Sequence, residues 1–216
     1  MNSQLRLLLV EDDELFRLGL ATRLRQEKDV LSLREAGDGE TALEMVQSQS
    51  LDGVILDIGL PGLGGLETCH QIKMAQPQLP ILILTSHARP ALISQLIQLG
   101  VSGYCLKGIP SESLLLAIRS VMAGASWWDS VATDVLRQRL MGRLPPLESF
   151  GLTPREQEIL ELMGQGKTNQ EIAHTFYISP GTVRVHVHAI LQKLGVRDRT
   201  QAALVVLQQT KVQPNL

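Results

Sequence analysis

Cysteine is scarce in this chain, which has two, Cys69 and Cys105. Their separation fits neither a disulfide framework nor a metal-ligand cluster, so each reads as a small packing residue in a protein of a reducing cytoplasm. Long apolar runs are missing as well. No stretch approaches the run of about 18 apolar residues that a membrane span needs. Met1-Asn2-Ser3-Gln4-Leu5-Arg6 passes straight into a strand pattern, so no signal peptide is expected. Strong positive charge is also lacking. Residues 1–125 carry 10 Lys and Arg against 14 Asp and Glu, and residues 145–216 carry 7 against 6. A nucleic-acid partner therefore requires a local concentration of basic residues rather than a basic domain.

What is present is enough for a sizeable core: 216 residues, 44% hydrophobic, suggest one or two domains. The most informative stretch is Gly53-Val54-Ile55-Leu56-Asp57-Ile58-Gly59-Leu60-Pro61. Val54 to Leu56 read as a strand buried on both faces. Gly59, Pro61 and Gly62 prevent the chain from continuing regularly. Asp57 is thereby placed at the carboxyl end of a parallel strand, where open α/β sheets put their ligands. A turn or cap role for Asp57 is the plainer alternative.

Strand and helix patterns alternate around it. Strands are read at 5–10, 30–36, 52–57, 80–85 and 102–107. Helices are read at 15–25, 40–49, 65–75, 88–99 and 110–123, the first with Leu15, Leu18, Thr22 and Leu24 at near-helical spacing. Five such units with short connections predict a doubly wound, five-stranded parallel sheet with helices on both faces.

The strands end alike. The first ends at Glu11-Asp12-Asp13, the third at Asp57, the fourth at Thr85-Ser86 and the fifth at Lys107. All these groups fall on one sheet edge. Adjacent carboxylates repel one another unless a cation lies among them. A hard divalent ion with oxygen ligands, most simply Mg²⁺, meets that need. Carboxylates, Mg²⁺, a lysine and a hydroxyl can hold a transferring phosphoryl group, with Asp57 as the nucleophile. Polar residues that merely fill loop ends are the alternative at each position taken singly.

Residues 5–123 resemble the receiver domain of two-component response regulators, which has a flavodoxin-like fold. The resemblance rests on Asp12-Asp13, on Asp57 followed by Pro61 and Gly65, on Thr85, and on Tyr104 three residues before Lys107. It implies that Asp57 accepts phosphate from a cognate histidine kinase. It also implies that Asp12, Asp13, Asp57 and the Gly59 carbonyl hold Mg²⁺ and that Lys107 pairs with the phosphate. Thr85 and Tyr104 then form the two-state switch, Tyr104 swinging inward. Such receivers catalyse their own phosphorylation and dephosphorylation but act on no separate substrate, so the chain is not expected to be an enzyme. Two positions depart from the pattern. Gly59 replaces a larger side chain two positions after the acceptor, and Gly108 stands where many receivers have proline. His87, in the loop beside the site, reads as a solvated loop residue.

Residues 125–149 read as a linker. Trp127-Trp128 are the only tryptophans, Val131 to Met141 suggest a short helix bearing Val131, Val135, Leu136 and Leu140, and Gly142, Pro145 and Pro146 break it. Residues 150–216 show only helical signals. Thr153-Pro154-Arg155-Glu156 and Thr168-Asn169-Gln170-Glu171 are capping boxes. Ser179 is an expected N-cap for a helix over 181–194, Gly195 a stop, and a fourth helix is read over 200–209. On the third helix, Val183, Val187, Ile190, Leu191 and Leu194 share one face, while Val185, His188, Ala189 and Gln192 point outward. A small outward face with a short preceding helix and a tight turn suits a helix-turn-helix in a major groove. Arg184, Lys193, Arg197 and Arg199 against Asp198 supply local charge for phosphates. A small helical bundle without DNA is the alternative.

Leu152 to Glu156, Asn169 to Ala173, Ile178-Ser179, Thr182 to His186 and Lys193-Leu194 through Arg199 to Ala202 resemble the LuxR-type DNA-binding domain. With the receiver, the whole chain is similar to the NarL/FixJ response regulators. The expected domains are a receiver at 1–124, the linker, and a helix-turn-helix domain at 150–216. The resemblance puts Arg184, Val185 and His188 at base- or backbone-contacting positions and Lys193 at the DNA backbone. It implies a homodimer on phosphorylation that reads an inverted repeat in double-stranded DNA. Two other readings stay open here: a DNA binder whose receiver responds to a ligand or partner rather than phosphate, and a phosphotransfer enzyme working through an aspartyl phosphate.

Overall fold

Six strands form one parallel sheet. In the computed structural model, which describes residues 4–141, 150–196 and 198–210, these are β1 (Leu5–Val10), β2 (Val30–Ala36), β3 (Gly53–Leu56), β4 (Ile81–Thr85), β5 (Gly103–Leu106) and β6 (Trp127–Trp128). Their spatial order is β2-β1-β3-β4-β5-β6. The order reverses between β1 and β3, and ligands of such sheets bind at that switch point. Helices α1 (Glu14–Arg25), α2 (Gly39–Ser48), α3 (Gly65–Ala75), α4 (Pro90–Gln98) and α5 (Ser111–Met122) alternate with the first five strands. The chain divides into two compact units, one of residues up to Ala88 with Leu96–Thr133, the other of Arg89–Gln95 with the residues from Asp134 on.

Every residue of β3 and β4 is buried, as expected of strands covered on both faces. The core of the first unit joins Leu7, Leu9, Ile55, Leu82 and Leu84 of the sheet to Ala21 and Leu24 of α1 and to Leu114, Ala117, Ile118 and Val121 of α5. Gly65 starts α3 hard against the loop after β3. A Cβ there would lie 2.4 Å from the Asp57 carbonyl oxygen and 2.5 Å from Ile58 Cα, so no other residue fits without moving that loop.

Three readings up to residue 141 change. The buried stripe of α1 is not Leu15, Leu18, Thr22 and Leu24, since Leu15 and Leu18 are 81% and 58% exposed. Phe16, Leu20, Ala21 and Leu24 face the core instead. The sheet has a sixth strand: Trp127 and Trp128 pair with Gly103 and Tyr104 of β5, and Trp127 packs on the core. The helix after it, α6 (Ser130–Leu140), is N-capped by Asp129, whose Oδ1 accepts from Ala132 N at 2.9 Å. It buries Ala132 and Val135 and leaves Leu140 exposed. The break expected at Gly142, Pro145 and Pro146 lies outside the described residues.

The second unit carries α7 (Pro154–Gly164), α8 (Asn169–Phe176), α9 (Pro180–Leu194) and α10 (Arg199–Thr210). Both capping boxes form: Thr153 with Glu156 on α7 and Thr168 with Glu171 on α8. Ser179 caps α9, and Gly195 ends it at φ +66, a left-handed conformation that suits glycine. Ile159, Leu160, Met163, Ile172, Val183, Ile190, Leu194 and Ala202 fill the core, with Val187 and Leu191 at its margin.

Candidate functional site

The ends of β1, β3, β4 and β5 are level because their register is fixed by pairing. Val10 pairs with Leu56, and the Asp57 amide continues the ladder by donating to the Val10 carbonyl at 2.9 Å. Thr85 pairs with Leu106, and the Lys107 amide donates to the Thr85 carbonyl at 2.8 Å. Glu11, Asp57, Thr85 and Lys107 therefore meet at one edge. Lys107 Nζ donates to Asp57 Oδ2 at 2.8 Å and approaches Glu11 Oε2 at 2.7 Å. The Gly59 amide donates to Asp57 Oδ1 at 3.1 Å. The Phe16 ring faces Lys107 Nζ, 4.7 Å from its centroid, so the inward stripe of α1 also walls the site.

The two buried acids are driven apart. Burial pushes both upward. At Glu11 it prevails over the Lys107 bond, with the Asp57 charge adding to it, and the carboxyl lies above its ordinary range. At Asp57 the bonds from Lys107 and from the Gly59 amide outweigh burial and hold the carboxyl below it. Asp57 is thus kept ionised, as a nucleophile must be. Burial weighs against the Lys107 ammonium, but its bonds to Asp57 and Glu11 raise its pKa overall.

The acidic cluster differs by one residue from the expected set. Carboxylate oxygens of Glu11, Asp12 and Asp57 lie within 4.8 Å of one another, and Asp13 is not among them. Asp13 caps α1, its Oδ1 accepting from Phe16 N at 2.9 Å. Strand geometry explains the shift. Glu11 directly follows Val10, the last β1 residue paired with β3, and so turns toward Asp57. The helix takes Asp13. Hard, anionic oxygen donors of this kind fit Mg²⁺ by their chemistry. The sequence places Glu11 in the acidic run at this edge, but not among the residues expected to hold the cation.

The hydroxyl and the aromatic of the expected switch are both fully buried. Thr85 Oγ1 accepts from the His87 amide at 3.2 Å and lies 3.4 Å from His87 Nδ1. The Tyr104 hydroxyl donates to the His87 carbonyl, and its ring is buried. The His87 side chain itself is exposed, and among the described residues its only hydrogen-bond partner is Thr85. Gly108 adopts φ +96, open to glycine but not to a proline ring locked near −65°.

In the second unit, Arg184, Val185 and His188 lie together on the exposed face of α9. Lys193 does not join them. Its Nζ donates to Glu156 Oε2 at 2.6 Å, and the buried Glu156 also accepts from the Thr153 amide at 2.7 Å. Arg199 is likewise engaged within the unit, donating to Asn169 Oδ1 at 2.9 Å and to the Lys167 carbonyl. Arg197 lies outside the described residues. Of the basic residues expected to meet phosphates, Arg184 is the one shown with its side chain exposed.

Residues 7–119 match the family model of the response regulator receiver domain, and residues 151–206 match that of the bacterial regulatory proteins of the luxR family. The chain is similar to the response regulator protein VraR of Staphylococcus aureus, with 32% identity over 97% of this chain and 99% of that protein. Among solved structures it is similar to the response regulator ChrA of a heme-sensing two-component system, with 30% identity, a TM-score of 0.50, and coverage of 97% and 100%. RcsB of Salmonella enterica serovar Typhimurium, bound to a promoter in the presence of a phosphomimetic beryllium fluoride, shares the fold. Its TM-score is 0.62 at 24% identity, with 96% of this chain and 99% of that one covered.

Proposed function

This chain belongs to the response regulators that join a receiver to a luxR-type DNA-binding domain, the NarL/FixJ type, and from that premise we propose that Asp57 is its phosphoryl acceptor. The observation that carries the reading is the ionised, nine-tenths buried Asp57 at the switch point, held by Lys107 and the Gly59 amide. The donor is a phosphohistidine of a partner kinase. An Asp57 oxygen attacks phosphorus, the phosphorus–nitrogen bond breaks, and the imidazole leaves with the electron pair. Glu11, Asp12 and Asp57, with the Gly59 carbonyl, are the residues that would hold Mg²⁺, which when bound offsets charge on the transferring oxygens. Lys107 neutralises negative charge on the acceptor side.

Thr85 then binds a phosphoryl oxygen and leaves His87, and Tyr104, bonded to the same loop, registers the change. The outcome is a homodimer whose α9 helices read an inverted repeat, with half-sites about one helical turn apart. Arg184, Val185 and His188 carry that contact, while Lys193 braces α7 against α9. The protein works in the cytoplasm, where its DNA is. No helix among the described residues is long and apolar enough to cross a membrane. The test is the intact mass, oligomeric state and DNA affinity of the pure protein with Mg²⁺, with and without an acyl-phosphate donor. A phosphoryl mass gain that Asp57→Ala removes, with dimer formation and tighter DNA binding, is the expected result. An Asp57→Ala protein that still gains the phosphoryl group and binds like wild type would overturn it.

A further inference from the structure

Tyr177 stands out in the second unit for two independent reasons. It is the one non-glycine residue with positive φ among the described residues, at φ 54 and ψ 41, as the C-cap of α8. It is also 93% exposed, the most exposed of the large apolar side chains. The left-handed region crowds a Cβ, and glycine, asparagine or aspartate is the usual occupant of a helix end of this kind. Here a bulky aromatic takes the conformation and gains no burial from it. The one aromatic ring beside it among the described residues is that of His174, with centroids 6.5 Å apart, and its hydroxyl makes no hydrogen bond among them. Neither packing nor backbone preference explains a tyrosine at this position. An outlier that the fold does not need points to a function.

The position supplies one. Tyr177 lies in the turn between α8 and α9, two residues before Ser179, the N-cap of α9. In a helix-turn-helix the N-terminal residues of the second helix meet base edges while the first helix crosses the sugar–phosphate backbone. The turn between them flanks that backbone. A tyrosine there offers an O–H donor for a phosphate oxygen and a ring face for the adjacent sugar, and tyrosine is among the residues that make such backbone contacts. We propose that Tyr177 is a positioning residue that binds the DNA backbone beside α9, its hydroxyl donating to a phosphate. This rests on α9 being the helix that enters the groove. The contact is neutral, so it sets register and affinity on every sequence alike and releases no counterion.

The test compares full-length wild type, Tyr177→Phe, Tyr177→Asn and Arg184→Ala, all with Mg²⁺ and beryllium fluoride. The readout is fluorescence anisotropy with a labelled mixed-sequence duplex and with a duplex selected by the wild type from a random library. Tyr177→Phe should bind both duplexes about threefold more weakly and Tyr177→Asn about tenfold more weakly, the range of the net contribution of one solvent-exposed hydrogen bond. Neither should change the dependence on salt, whereas Arg184→Ala should lower its slope by about one. Tyr177→Asn should also raise the melting temperature, because asparagine relieves the left-handed residue. Loss of affinity with gain of stability is a combination a purely structural role does not give. Tyr177→Asn binding at full strength while Arg184→Ala weakens would overturn this inference alone. Full binding by Tyr177→Phe would overturn the phosphate hydrogen bond. Full binding by both Tyr177→Asn and Arg184→Ala would overturn the α9 reading and this inference with it.

Discussion

Lys107 Nζ lies 2.8 Å from Asp57 Oδ2, and the same ammonium is the only cation bonded to the Glu11 carboxylate among the described residues. One positive charge therefore serves two buried carboxylates whose proton affinities are displaced in opposite directions.

Lys107→Met should leave those carboxylates facing each other without a counter-charge. Loss of acceptor-side stabilisation should slow labelling by an acyl-phosphate donor about 100-fold or more. The variant should be destabilised at neutral pH by about 3 kcal/mol. Glu11, already raised by burial, would be raised further, so the penalty should shrink toward acid pH as Glu11 takes up a proton. Urea unfolding of wild type and variant across pH checks both the size and the sign.

Gly59 leaves one side of the acceptor open, and a Cβ built there would lie 3.2 Å from Asp57 Oδ2. Gly59→Leu should place a side chain over the phosphoryl group and obstruct the approach of water. Hydrolysis of the phosphorylated form should slow severalfold, with little effect on folding because the position is exposed. The decay of the phosphoryl mass with time measures it.

Tyr104 and Trp128 are register partners, and both tryptophans of the chain lie on β6. Beryllium fluoride with Mg²⁺ should therefore shift intrinsic tryptophan emission. Thr85→Ala should still bind the mimic but lose most of the shift, because the loop that carries the Tyr104 bond no longer responds. An unchanged shift in Thr85→Ala would remove Thr85 from the relay.

Glu156 joins the Thr153 cap of α7 to Lys193 of α9, and its ionised form strengthens both bonds. Burial raises its pKa, but the bonds from Lys193 and Thr153 prevail and hold it below the ordinary glutamate value. The stability it contributes is complete above the unfolded pKa of about 4.3 and is lost as pH falls through the lower folded value. Lys193→Ala should cost about 1 kcal/mol at neutral pH, discounted for the partly exposed lysine, and should shift the acid unfolding limb upward. Circular dichroism melts from neutral pH down to below about pH 4 would show it.

Much of this was legible in the sequence because it is local. Three caps, the stop at Gly195 and the fully buried strands follow from spacing and residue type. Asp57 and Lys107 could be placed because each ends an apolar run. What escaped depends on pairing between distant segments. Nothing within Glu11-Asp12-Asp13 says which carboxylate faces β3; the Val10–Leu56 register decides it. The face of α1 was misjudged because leucines occur all round that helix, and docking chose the stripe through Phe16 that also meets Lys107. A strand of two tryptophans is too short to show any period. Lys193 and Arg199 looked available to phosphates because their partners, Glu156 and Asn169, lie 37 and 30 positions away.

The two edges of the sheet are protected by different means. β2 is an outer strand and carries exposed Leu31, but it also presents Arg34 and Glu35, and Glu35 pairs with Arg25. Charge of that kind discourages a foreign strand from adding on. β5, with Gly103, Tyr104 and Cys105 all buried, has no such charge, and β6 covers it with the chain's own backbone. The Trp127 and Asp129 amides take the Ser102 and Tyr104 carbonyls. A chain cut before Trp127 would expose the least polar edge of the sheet, and self-association through β5 is what its solutions should show.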